Sequence, residues 1–210
     1  MELKPSQEFA MLPPPHTRVL LVDLDGTLAN LRRALYDYAS KSNTKPTKKF
    51  CVETINEDVD FGIGYREFQR LKAGFFEGDN LLDIPFFNDA MNAVYLASMD
   101  GVHIIACTAR PANDYPRIWL QTWNWLERLD IRIEQLYIGS DVRIKILQDL
   151  IANKCEVVLF DDNPDTIERA LNNDIKVVVP RYPYNEYLIG RKNVTFMEQG
   201  SGRPVIFPFK

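Results

Sequence analysis

Apolar residues fall along this chain in short runs that stop on polar ones. Arg18–Asp23 reads RVLLVD, and similar runs recur at Val102–Cys107 (VHIIAC), Gln135–Ile138 (QLYI), Glu156–Phe160 (EVVLF) and Ile175–Val179 (IKVVV). Short, β-branched and apolar on both faces, they predict strands of a parallel sheet covered on both sides. Between them lie stretches with helical spacing: Asp89–Met99, leading into a turn at Asp100-Gly101; Asp114–Leu129, with Pro116 in its first turn; Val142–Ala152; and Pro164–Asn172. Strand and helix alternating with short turns predict an α/β fold, a doubly wound Rossmann-like parallel sheet. Sheets of this kind bind ligands at the carboxyl ends of their strands.

One interval breaks the alternation. Residues 31–88 hold no strand-like run but do hold helical stretches at Leu31–Lys41 and Tyr65–Ala73. Aromatic side chains are dense there, among them Phe61, Phe68, Phe75, Phe76, Phe86 and Phe87. The reading is a small helical cap inserted directly after the first strand, with Phe68 and Leu71 in its own core. The predicted organisation is a Pro-rich arm (1–17), an α/β core (18–30 and 89–190), the cap (31–88) and a tail (191–210) with no pattern of its own.

Composition narrows the class. The 210 residues give room for one core domain and a modest insert, and 46% hydrophobic with 26% charged residues suits a soluble globular chain. A net charge of −4 and a pI near 5.3 provide no global basic field for nucleic acid. The lysines at 41, 45, 48 and 49 read as a solvated face. Three scattered cysteines and two histidines argue against a zinc site or disulfide framework and for reduced thiols in the cytoplasm. The N-terminus does not read as a signal peptide, and no apolar run approaches the roughly 18 residues of a membrane span. Oligomeric state is left open.

Three strand ends carry the candidate chemistry. The first is Asp23-Leu24-Asp25-Gly26-Thr27. Residues two apart on an extended segment point the same way, so Asp23 and Asp25 can address one point. Two carboxylates so close either raise a pKa or recruit a cation, and a hard ion such as Mg2+ suits their oxygens. The second is Thr108-Ala109-Arg110-Pro111, where a hydroxyl and free backbone N–H groups suit phosphate oxygens. The third, Asp161-Asp162-Asn163-Pro164-Asp165, adds carboxylates, with Asp165 read as a helix-start residue.

Taken together, these motifs resemble those of the haloacid dehalogenase-like superfamily of phosphohydrolases, over about Arg18 to Pro180. The resemblance implies that Asp23 is a nucleophile forming an aspartyl-phosphate and that Asp25 is the general acid and base. It also implies that Thr108 helps hold the phosphate, with Gly26, Thr27, Ala109 and Arg110 around the substrate. Mg2+ would be held by Asp23, Asp25, Asp161 and Asp162, with Asp162 preferred over Asp161 as the direct ligand. The superfamily also needs a cation on the helix near the third strand, more often lysine. Here the helical wheel sets Arg143 among Ile146, Leu147, Leu150 and Ile151 and turns Lys145 to Gln148 and Asp149, so Arg143 is favoured and Lys145 is the alternative. The layout resembles the 5′(3′)-deoxyribonucleotidases, whose Phe-Phe element before a Pro has a loose counterpart in Phe75-Phe76 and Pro85. The expected substrate is a small phosphate ester such as a nucleoside monophosphate. Alternatives are a polynucleotide 3′-phosphatase, disfavoured by the acidic pI and the insert, a sugar-phosphate phosphatase, and a non-catalytic binding module.

Overall fold

Side-chain alternation along the strands divides the interior in two. In the computed structural model, which describes residues 11–139, 142–202 and 205–209, six parallel strands form one sheet in the order β3-β2-β1-β4-β5-β6. They are β1 (Arg18–Asp23), β2 (His103–Thr108), β3 (Gln135–Ile138), β4 (Glu156–Phe160), β5 (Lys176–Pro180) and β6 (Val194–Met197). Val19, Leu21, Ile105, Cys107, Val157 and Leu159 face one side, against α6 (Val142–Ala152) and α7 (Pro164–Leu171). Leu20, Val22, Ile104, Ala106, Val158 and Phe160 face the other, against α4 (Asn88–Met99) and α5 (Ile118–Glu127). Both faces are buried past the first residue of most strands, which is why the runs are apolar at consecutive positions there.

Two details depart from the sequence pattern. The helix expected from Asp114 starts at Ile118, because Pro116 disfavours helical geometry at the residue before it and the chain first turns on Pro111. The tail, expected to be featureless, supplies β6, which pairs Val177–Pro180 with Val194–Met197. It then returns across the sheet: Phe207 is buried with its ring 5.4 Å from that of Phe160, and Lys176 Nζ donates to the Pro208 carbonyl at 2.6 Å. The first ten residues of the arm, and residues 203, 204 and 210 of the tail, lie outside the described residues.

The insert between β1 and α4 is helical: α1 (Leu31–Lys41), α2 (Glu57–Phe61), α3 (Tyr65–Glu77) and a 3-10 turn at Asn80–Asp83. Phe61, Phe68, Leu71 and Phe75 are buried within it, with Phe61 edge-on to Phe68 at 5.6 Å. A buried ion pair fixes its long loop, since Arg32 Nη1 lies 2.6 Å from Asp60, whose carboxylate also accepts the backbone N–H groups of Glu53 and Thr54. The two crossings between insert and core are tied together: Asn30 N–H donates to Pro85 O at 2.7 Å and Phe87 N–H to Leu28 O at 2.9 Å. From the core, Trp125 Nε1 on α5 holds the return crossing through Ile84 O at 2.8 Å.

Candidate active site

Strand register assembles the site. In β1, Asp23 stands opposite Cys107 of β2, and Val22 opposite Phe160 of β4, so Asp161 emerges beside Asp23 at the same edge. By alternation Asp23 and Asp161 both face the α6 side, where Arg143 Nη1 lies 3.2 Å from Asp23 Oδ1 and 2.5 Å from Asp161 Oδ2. Thr108 has the opposite parity and faces the α5 side, where its hydroxyl donates to Asp25 Oδ2 at 3.2 Å. Lys145 is exposed on the outer face of α6.

Asp23, Asp161 and Asp162 are buried, and each offers an oxygen within 4.8 Å of the others. Burial pushes the Asp23 carboxyl well above the ordinary carboxylate range; Arg143 opposes the shift, while Asp161, Asp162 and Asp25 add to it. Burial, then the charge of Asp161, raises Asp162 to about 6, against a lowering hydrogen bond from Tyr184. Burial works against the charge of Arg143 too, but Asp161 and Asp23 outweigh it and its pKa is raised. Three carboxylates facing one guanidinium leave excess negative charge in a buried place, and their hard oxygens fit a small divalent cation.

Asp25 is not part of that cluster. Its carboxylate turns to Arg110, which reaches it through Nη2 at 2.7 Å and Nε at 2.9 Å. Thr27 is fully buried, and its hydroxyl lies on Asp162 Oδ1 at 3.4 Å rather than in the cavity. Gly26 has φ +90°, and a Cβ there would sit 2.5 Å from Asp162 Oδ2, so the turn after β1 needs glycine both for its backbone and for the acid beside it. Asp165 lies in the first turn of α7, its N–H capped by Asn163 Oδ1 at 2.9 Å.

A group after β5 was missed by the sequence reading. Tyr184 donates its hydroxyl to Asp162 Oδ2 at 2.5 Å, Tyr182 donates to Gly26 O at 2.8 Å, and Asn185 Nδ2 bonds the carbonyls of Asp162 and Pro180. Burial and the charge of Asp162 raise the Tyr184 pKa, so the phenol stays a donor. These residues close a fourth strand end, and the rule that singled out the other three would have found them there.

Above the carboxylates lies a cavity of about 670 Å³ between core and insert. Its floor includes Asp23, Asp25, Gly26, Thr108, Ala109, Arg110, Arg143 and Asp162; its walls include Phe50, Val52, Phe76, Phe87 and Tyr115; and Glu57, Gln69 and Lys72 reach it from α2 and α3.

This fold, a parallel sheet with helices on both faces and a helical cap after the first strand, is the haloacid dehalogenase-like hydrolase fold. A haloacid dehalogenase-like family hydrolase from Streptococcus pneumoniae is similar with a TM-score of 0.54 at 13% identity, over 81% of this chain and 87% of its own. A family IA, variant 3 hydrolase of the same superfamily from Entamoeba histolytica gives 0.52 at 14%, over 87% and 93%. CbbY from Rhodobacter sphaeroides, solved in complex with phosphate, gives 0.51 at 13%, over 88% and 95%. At these identities the likeness is one of fold. No family model and no curated protein matches the chain. Among the described residues no helix is long and apolar enough to cross a membrane.

Proposed function

We propose that this chain is a magnesium-dependent phosphomonoesterase that works through an aspartyl-phosphate on Asp23. The observation that carries the proposal is the buried group of Asp23, Asp161 and Asp162 with Arg143 bridging the first two at 3.2 and 2.5 Å. Asp23 attacks phosphorus as the ester P–O bond breaks, and Asp25 gives a proton to the departing alkoxide. Water then attacks the aspartyl-phosphate, its proton passes to Asp25, and the P–O bond to Asp23 breaks to release inorganic phosphate. Arg143 holds the nucleophile and offsets charge on the phosphoryl group, and the Thr108 hydroxyl and the backbone N–H groups after it hold its oxygens. Mg2+, held by Asp23, Asp161 and Asp162, would act as a Lewis acid on the phosphoryl oxygens.

A small substrate fits best. About 670 Å³ is within the usual range for small-molecule sites, and aromatic walls at Phe50, Phe76 and Tyr115 suit the base of a nucleoside monophosphate. The loose resemblance to the deoxyribonucleotidases points the same way. Purified protein should release phosphate from an aryl phosphate only with Mg2+, and Asp23→Asn should abolish turnover. Full activity in that variant would refute the mechanism. Deoxynucleoside monophosphates, sugar phosphates and 3′-phosphorylated oligonucleotides, compared by kcat/KM, should rank in that order; cleavage of the oligonucleotide alone would overturn the small-substrate reading.

A further inference from the structure

Arg110 stands out among the cationic residues lining the cavity because its side chain has no exposure at all. A guanidinium so deeply buried needs a counter-charge and a partner for every nitrogen. Asp25 supplies the charge, taking Nη2 at 2.7 Å and Nε at 2.9 Å, and the third nitrogen, Nη1, donates to the Thr122 hydroxyl on α5 at 3.0 Å. The guanidinium carbon also lies 5.7 Å from the centre of the Trp125 ring. With each nitrogen engaged, the fork is committed to Asp25 rather than to a ligand. Asp25 itself is 21% exposed at the cavity floor and sits two residues past the end of β1, where a single bridge to Ala29 holds its backbone, and besides Arg110 its carboxylate accepts from the Thr108 hydroxyl at 3.2 Å.

We propose that Arg110 is a positioning residue: braced by Thr122 and Trp125, it sets the direction of the Asp25 carboxylate so that the same oxygen can meet the leaving group and then the attacking water. This rests on the phosphatase reading above and assigns Arg110 a task other than binding substrate. The brace extends further, because Trp125 also holds the return crossing of the insert through Ile84 O. The orientation of Asp25 is thus tied to α5, the helix that holds the insert in place.

The test uses the full chain with Mg2+ and an aryl phosphate, whose good leaving group needs no proton at the first step. If Arg110 orients Asp25, water attack becomes the slow step in Arg110→Lys and Arg110→Ala. Each should release a burst of phenol equal to the enzyme and then turn over about 100-fold more slowly, with KM falling in step so that kcat/KM for the aryl phosphate changes less than about twofold. With an alkyl phosphate the fall should be at least as large and show no burst. Thr122→Val, which removes only the brace, should lower turnover about fivefold in the same sense, and it decides the matter if the Arg110 variants do not fold. Unchanged turnover in these variants, or a loss confined to KM, would overturn the inference, the latter by making Arg110 a substrate contact. Asp23→Asn run alongside separates the two levels. Activity in that variant refutes the phosphatase mechanism, whereas an inactive Asp23→Asn beside fully active Arg110 and Thr122 variants refutes the positioning role alone.

Discussion

Asp162 depends on two neighbours, and each gives a prediction. Tyr184 fixes one of its oxygens, and Gly26 leaves the space its carboxylate occupies. Tyr184→Phe removes a hydrogen bond to an acid proposed to hold Mg2+, so the Mg2+ concentration for half-maximal activity should rise about tenfold. Gly26→Ala adds a strained backbone and a clash, so both the melting temperature and Mg2+ affinity should fall. A Mg2+ titration unchanged in both variants would remove the cluster from the cation site. At this scale the sequence spoke clearly for Asp23, Asp25, Thr108, Asp161 and Asp162, because each ends or closely follows an apolar run. It could not reveal that Arg110 grips Asp25, since the two meet only once β1 and β2 are paired.

Periodicity was legible wherever an element is buried. The wheel of α6 separated Arg143, buried against Asp23 and Asp161, from the exposed Lys145. Strand β6 escaped because it has four residues, lies at the sheet edge and is mostly only half-buried. The five residues of α2 escaped for a related reason, since EDVDF is too short to display a period. Its value lies in one acid: Asp60 holds Arg32 and the loop at Glu53–Thr54 that adjoins the cavity. Asp60→Ala takes from Arg32 its counter-charge, leaving it only the carbonyls of Thr54 and Ile55, and takes the acceptor from the N–H groups of Glu53 and Thr54, at a cost of about 3 kcal/mol in urea unfolding. A cost below about 1 kcal/mol would mean that the pair is effectively solvated.

For the whole molecule, the acid cluster sets how stability responds to pH and metal. Asp23 and Asp162 both have raised folded-state pKa values, the latter from 3.8 to about 6. The fold therefore holds their protons more tightly than the unfolded chain does. For Asp162 that contribution is complete below about pH 4 and is lost as the pH rises through about 6; Asp23 adds to it in the same direction. In chelator, this part of the stability should decline from pH 4 to 7, and Mg2+ should raise the melting temperature most at the upper end, where the acids are charged. An equal Mg2+ effect at pH 4.5 and 7.5 would contradict this.

The strand order also says when in the life of the chain the site comes into being. β1 is first in sequence but third across the sheet, between β2 and β4, and its Val19 pairs with His103 and Val157. During synthesis Asp23 is made before either neighbour of its strand, so β1 waits with both edges unpaired until β2 follows the insert, and with one edge open until β4 is translated. Contacts so distant in sequence form slowly, and open strand edges invite pairing with other chains. On refolding from denaturant, helical signal from the insert should return before hydrolytic activity does, and growing protein concentration should lower the yield of active enzyme more than it alters the early helical phase.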